Sequence, residues 1–170
     1  KNFMQAKGMA IPIGSAIEAD IWYGYPDVNK AAFDIVLKSF DCMCINVYPF
    51  QWGVDVNKAV SDKSTMHSVS WYLDAFKTKF PKFFPAGQPP KVVITETGWA
   101  TEGTDGHYAS HIPGTVPDAE TYAQAVYSYV KTNKIPLLYF MAYDQPTKTG
   151  EPVGNLPLAE QHYGVFDMYG

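Results

Sequence analysis

The sequence contains no arginine and only two cysteines among its 170 residues. All 13 basic residues are lysines, which face 17 acidic residues and leave a net charge of −4. Because arginine supplies the planar bidentate contacts typical of phosphate and nucleic-acid recognition, its absence argues against a nucleic-acid partner. The longest apolar run, 136–143, is far shorter than the roughly 20 residues that cross a bilayer, so no membrane segment is predicted.

Aromatic residues are abundant, at 15% of the chain, while apolar residues make up 46% and charged residues 18%. This composition is typical of a globular protein and not of a disordered one. A chain of this length forms one domain and buries roughly 70% of the surface that it exposes when unfolded. It therefore needs no disulfides or metals to hold a core.

The two cysteines, Cys42 and Cys44, stand two residues apart in an apolar segment. Alternate residues of a strand point to the same face, but their thiols are poorly aimed for a disulfide. A catalytic thiol needs a nearby histidine, and a metal site needs further ligands. We therefore predict two free thiols in the core.

Hydrophobic periodicity divides the chain into alternating strands and helices. Short apolar runs predict four strands, at 9–14, 42–48, 92–97 and 137–143. Apolar residues at intervals of three and four predict three helices between them, at 32–40, 66–80 and 119–130. We expect Pro81 to end the second helix, and Thr115 or Asp118 to cap the third. This order predicts a parallel sheet with right-handed crossovers.

Four strands and three helices neither close a barrel nor cover both faces of a parallel sheet. One interpretation is a small open α/β sandwich with a ligand at the carboxyl ends of its strands. The other is the second half of an eight-stranded barrel. Residues 1–8 resemble the last turn of a helix, so we expect the chain to begin within a fold.

Candidate functional residues cluster where the predicted strands end, the edge at which parallel α/β proteins build their sites. They are Asn46, Tyr48 and Phe50 at the end of the second strand, Glu96 and Trp99 at the end of the third, Asp144 and Lys148 after the fourth, and Glu160 in a later loop. Glu18 and Asp20 follow the first strand, and we expect them to be rim carboxylates.

Glu96 is the most informative of these residues, because an ionisable side chain in an apolar strand is costly unless it is paired or functional. A period of two places it on one face with Val92 and Ile94. A neighbouring lysine or backbone amide is the structural alternative. However, a carboxylate among aromatic rings and polar groups, without arginine or a metal-ligand set, favours sugar chemistry.

Four segments together resemble the motifs of glycoside hydrolase family 17, the β-1,3-glucanases and β-1,3-glucanosyltransferases. KVVITETGWATEG (91–103) resembles the nucleophile signature, and INVYPFQWG (45–53) the motif of strand six. YFMAYDQPTK (139–148) and EQHYGVFD (160–167) resemble the strand-eight and C-terminal motifs.

The resemblance implies a (β/α)₈ barrel in which residues 1–170 supply strands five to eight, with the N-terminal half of the barrel as partner. It also implies a retaining reaction on β-1,3-glucan with Glu96 as the nucleophile, no cofactor, no metal, and an extracellular or cell-wall location. Tyr48 then lies beside the nucleophile. The remaining candidates bind substrate, with Lys148 and Glu160 as charged groups and Phe50 and Trp99 lining sugar subsites.

Three positions depart from the family pattern. The general acid/base of the family lies in an Asn-Glu motif, and this sequence has no Asn-Glu dipeptide. We therefore expect the acid/base to come from outside the segment, which would be inactive alone. Ala100 replaces a usual proline, and Gln145 replaces a frequent glutamate. The rival hypothesis is a non-catalytic glucan-binding or cell-wall structural module.

Overall fold

The computed structural model describes residues 7–8, 11–28, 30–104, 112–146 and 158–166. Three strands form a parallel sheet in sequential order: β1 (Ala16–Glu18), β2 (Met43–Asn46) and β3 (Val92–Glu96). Four helices accompany them: α1 (Ala19–Val28), α2 (Lys30–Ser39), α3 (Val69–Lys79) and α4 (Val116–Asn133). Short 3₁₀ helices lie at Pro49–Trp52, Pro81–Phe83 and Leu158–Gln161.

Pro81 and Thr115 act at the ends of α3 and α4 as predicted, and Ser68 is a further cap that was not predicted. Ser68 Oγ accepts a hydrogen bond from the backbone of Trp71 at the start of α3, and the chain leaves that helix just before Pro81. Thr115 Oγ1 caps α4 by accepting from the backbone of Asp118. The helices predicted at 32–40, 66–80 and 119–130 are thereby confirmed as α2, α3 and α4, apart from their end residues.

The first strand differs from the prediction: within the described residues, it lies at Ala16–Glu18 and not at 9–14. Pro12 has no N–H to donate to a strand ladder. Gly14 passes so close to the two cysteines that a Cβ on it would lie 2.6 Å from Cys44 Sγ. Helix α1, which follows β1 directly, was not predicted at all.

The fourth predicted strand runs beside β3 without forming a regular ladder. Leu137 makes a single parallel bridge with Ile94, and Phe140 N donates to Thr97 O at 2.8 Å. From Met141 onward the chain pairs with residues 163–166 instead. The segment runs parallel to β3 as predicted. Its first half makes backbone hydrogen bonds with β3 and the residue that follows it, and its second half makes them with residues 163–166.

The core lies on the helix-covered face of the sheet. Met43, Ile45 and Ile94 are fully buried there, whereas the alternating residues of β2 and β3 are only half-buried. A doubly wound sheet is covered on both faces, so this alternation fits one wall of a barrel better than the open sandwich. In the described part of the chain, no helix is both long and apolar enough to cross a membrane.

Candidate active site

Glu96 reaches the half-buried face of the sheet because the β2–β3 register shifts by one residue. Ile45 pairs with Ile94, yet the next residue, Asn46, pairs with Glu96, so Thr95 is the extra residue of a bulge. Ile94 is fully buried, whereas Glu96 is half-buried. The period-two expectation that Glu96 shares the face of Ile94 is therefore corrected, and the bulge is the reason.

Tyr48 lies beside Glu96, as the family motif implies. Its hydroxyl donates a hydrogen bond to Glu96 Oε2 at 3.1 Å. Burial raises the pKa of Tyr48, and the negative charge and hydrogen bond of Glu96 raise it further. The phenol therefore stays protonated and remains a donor to the carboxylate. The rings of Phe140 and Tyr163 pack edge-on against Tyr48 and fix its position.

Two further carboxylates act on the same tyrosine. The charges of Glu160 and Glu18 both raise the pKa of Tyr48, after the larger effects of burial and Glu96. Glu18 pairs with Asn46 in the sheet register, and Asn46 in turn pairs with Glu96, so all three end adjacent strands at one edge. From its position in the sequence, Glu18 was expected to be only a rim carboxylate, because strand register is not visible in a sequence.

Asn46 is oriented by β3. Its Oδ1 accepts a hydrogen bond from Thr95 Oγ1 at 2.7 Å. Among the described residues, its amide nitrogen has no hydrogen-bond partner. An amide donor beside Glu96 is thus available to a polar ligand.

Thr97 supports Glu96 from behind and was not identified from the sequence. It is fully buried, and its hydroxyl donates to Val47 O at 2.6 Å and also contacts the hydroxyl of Tyr122 on α4. This contact ties together β3, the segment after β2, and α4. The position of Glu96 is therefore set by the core as well as by the sheet.

Phe50 and Trp99 are placed under the site. They are 0% and 2% exposed, and their ring centroids lie 5.2 Å apart. Trp99 also packs against Tyr122, with 5.2 Å between centroids. A ring that stacks on a sugar needs an accessible face, so their burial argues against the predicted sugar contact and assigns these rings to packing.

Asp144 is engaged within the protein. Its Oδ2 lies 3.1 Å from His162 Nδ1, and its Oδ1 accepts from the backbone of Gly164 at 2.7 Å. These contacts hold the 158–166 segment, which carries Glu160, against the end of the predicted fourth strand. Lys148, the other candidate from that strand, lies outside the described residues.

The cysteines are free, and both are half-buried, so they do not lie in the fully buried core. Their sulfur atoms are 3.9 Å apart on one face, as their spacing predicts. No group of three or more His, Cys, Asp or Glu side chains that could hold a metal ion occurs among the residues described.

Solved structures with a similar fold include carbohydrate-active enzymes. The chain resembles the glycoside hydrolase family 17 β-1,3-glucanosyltransferase of Rhizomucor miehei at 24% identity and a TM-score of 0.62, with 99% of this chain and 50% of that chain covered. The chain therefore has the fold of about half of that enzyme. An active-site mutant of the same R. miehei enzyme in complex with laminaritriose gives a TM-score of 0.65 at 24% identity, with the same coverage.

An endo-laminarinase from Formosa Hel1_33_131 is also structurally similar to this chain. It matches at 17% identity and a TM-score of 0.66, covering 98% of this chain and 46% of that chain. This chain thus spans about half the length of these enzymes. No protein-family model matches the sequence, and no curated protein matches it.

Proposed function

We propose that this chain is the C-terminal half of a family 17 barrel that acts on β-1,3-glucan by a retaining mechanism. Glu96 is the nucleophile that forms the glycosyl-enzyme intermediate. The observation that carries the proposal is the Tyr48–Glu96 hydrogen bond at the carboxyl end of β3, within two motifs that resemble the family. The intermediate is released to water in a hydrolase and to a second sugar in a transglycosylase.

The geometry suits a carboxylate that must be held in one position. The protonated phenol of Tyr48 donates a hydrogen bond to Glu96, which orients the carboxylate at the end of the strand. The amide of Asn46 supplies a donor for a sugar hydroxyl on the same face. We place Lys148, Glu160 and Asp144 around this centre, with Asp144 acting through the segment that it holds.

A retaining reaction needs a second carboxyl group about 5–5.5 Å from the nucleophile. In this proposal it comes from the N-terminal half of the barrel, which pairs with the half-buried face of the sheet. Glu18 and Glu160 adjust the charge at Tyr48 and do not transfer the proton. The whole protein works outside the cell or in the cell wall, where β-1,3-glucan is found.

The test is Glu96→Gln in the full-length protein, assayed on laminari-oligosaccharides. Loss of the nucleophile should lower kcat by about 10³-fold or more. Glu102→Gln is the matched control, because Glu102 is an exposed carboxylate six residues further along the same segment. A 2-fluoroglucosyl fluoride should label wild-type Glu96 covalently, and mass spectrometry of the peptide should locate the label.

Product analysis separates the two fates of the intermediate, since longer oligosaccharides form only by transfer. Normal turnover by Glu96→Gln, or a label on another residue, would contradict the assignment. Tight glucan binding without turnover by the wild-type full-length protein would favour the binding-module alternative. Glu18→Gln and Glu160→Gln should each lower kcat far less than Glu96→Gln does.

A further inference from the structure

A second polar cluster lies at the same edge of the sheet, around His67 in the loop before α3. His67 has a φ of 66°, in the left-handed region that only a few per cent of non-glycine residues adopt. Its side chain is only 15% exposed and contacts Asp20, Tyr72 and Trp52. A conformation of this kind persists when the surrounding contacts over-determine it.

Hydrogen bonds fix which nitrogen of His67 carries the proton. Tyr72, which is 1% exposed, donates its hydroxyl hydrogen to Asp20 Oδ1. His67 Nδ1 lies 2.6 Å from the same hydroxyl oxygen and 3.4 Å from Asp20 Oδ1. Because the tyrosine hydrogen is already committed, Nδ1 must be the donor. Asp20 lies in the first turn of α1, where the helix dipole favours its negative charge.

The opposite nitrogen is left for a ligand. In neutral His67, a proton on Nδ1 makes Nε2 an acceptor. Within the described part of the chain, Nε2 has no hydrogen-bond partner. The imidazole also lies flat on Trp52, with 3.9 Å between ring centroids and 4° between planes, so it cannot rotate freely. The cluster thus holds one acceptor in a fixed direction beside an aromatic ring.

The cluster is next to the proposed nucleophile along the sheet edge. Asp20 comes two residues after β1, and Trp52 ends the 3₁₀ helix that follows Tyr48. Strand β2 pairs with β1 on one side and with β3, which ends in Glu96, on the other. A chain-like ligand that lies along this edge across Glu96 therefore extends toward His67.

We infer that Trp52 and His67 form a sugar subsite remote from the cleaved bond, in which His67 Nε2 accepts a hydrogen bond from a glucosyl hydroxyl. Asp20 and Tyr72 are positioning residues that hold the imidazole in the required tautomer. An aromatic surface with a few fixed polar groups is the composition of carbohydrate sites. The inference rests on the proposed function, because the ligand is the same β-1,3-glucan.

The test measures oligosaccharide binding by calorimetry in full-length protein carrying Glu96→Gln, which blocks turnover. His67→Asn is the informative variant, because asparagine tolerates the left-handed conformation and its amide can still donate to Tyr72, while Nε2 is lost. We expect laminarihexaose to bind about tenfold more weakly, which equals the loss of about 1.4 kcal/mol, one hydrogen bond. Laminaribiose should bind as before, and the melting temperature should change little.

Chemical modification provides a second test that needs no change at His67. Diethyl pyrocarbonate should modify His67 at Nε2, and laminarihexaose should protect it more than laminaribiose does, as read by mass spectrometry. Equal effects of His67→Asn on both ligands, no effect on either, or no protection would overturn the subsite while the proposed function stands. No binding of any laminari-oligosaccharide by the Glu96→Gln protein would overturn both.

Discussion

The two faces of the sheet differ in what covers them. On the helix side, Met43, Ile45 and Ile94 have no exposed surface, and Thr97 continues the same packing. On the other side, Cys44 and Thr95 are only half-buried, and the polar site lies at the end of this face. One face therefore carries the packed core, and the other carries the candidate site.

The polar groups of the half-buried face depend on the packed face for their positions. They are held by contacts that originate on the packed side, such as the hydrogen bonds of Thr97 behind Glu96. The difference between the faces also supports the proposal that further strands cover the second face, because parallel sheets are rarely left open. Substitutions and chemical modification distinguish the two faces.

The largest expected effect is on stability, at adjacent residues of β3. Ile94→Ala removes a fully buried side chain and should lower the free energy of unfolding by about 2–5 kcal/mol. In the isolated 1–170 chain, Val93→Ala, on the half-buried face, should lower it by about 1 kcal/mol or less. Urea denaturation of the two variants measures the difference, and equal losses would contradict the asymmetry between the faces.

The second effect is on thiol reactivity at the half-buried face. Burial, with the neighbouring Cys42, raises the pKa of the Cys44 thiol from 9.0 to about 11. At pH 8 the native thiolate is therefore about 100-fold scarcer than in the unfolded chain, and iodoacetamide should alkylate Cys44 correspondingly slowly.

Peptide mass spectrometry over time gives the rate of this alkylation. Cys42→Ser should accelerate it, because Cys42 contributes to the shift through its charge and hydrogen bond. Rapid native alkylation, close to the rate in denaturant, would show that the half-buried face does not protect its side chains.

The third effect is on catalysis by the full-length protein. Tyr48→Phe keeps the ring that packs against Phe140 but removes the hydrogen bond to Glu96. A hydrogen bond to a charged group contributes about 1.5–3 kcal/mol, so kcat should fall about 10- to 100-fold. Tyr127→Phe, on the exposed side of α4, is the control and should leave kcat unchanged. An unchanged kcat in Tyr48→Phe would remove Tyr48 from the site.

The smallest effect concerns pH. Burial raises the pKa of Tyr48, whereas the phenol ionises near pH 10.0 in the unfolded chain. The contribution of Tyr48 to the free energy of unfolding is therefore complete below pH 10 and is lost as the pH rises further. Between about pH 9 and about pH 11, the free energy of unfolding should fall less steeply in Tyr48→Phe than in wild type. Tyr127→Phe should match wild type, and identical slopes in all three proteins would contradict the shift.

Periodicity, with Pro81 and Thr115 as end signals, was sufficient to predict α2, α3 and α4, because these elements are set by local spacing and local caps. The β1 strand was misplaced because a three-residue strand carries almost no periodic signal. Its position depends on pairing with β2, which is a long-range property.

In the candidate site, too, features that depend on local sequence were predicted and features that depend on long-range packing were not. Glu96 and Tyr48 were predicted together from motifs, and the structure joins them by a hydrogen bond. The burial of Phe50 and Trp99, by contrast, depends on how distant segments pack. The sequence alone does not distinguish an aromatic residue of the core from one of a sugar subsite. The Asp20–Tyr72–His67 network was missed because 52 residues separate two of its members.

The extra residue at Thr95 limits how β3 can be transplanted. If the peptide 92–97 were copied into a regular parallel sheet, the Glu96 carboxylate would face the helices. It would then have no tyrosine hydroxyl as a hydrogen-bond donor. Both strands must be moved together with their register shift intact. The face on which Glu96 lies is determined by the shift between β2 and β3, and by neither strand alone.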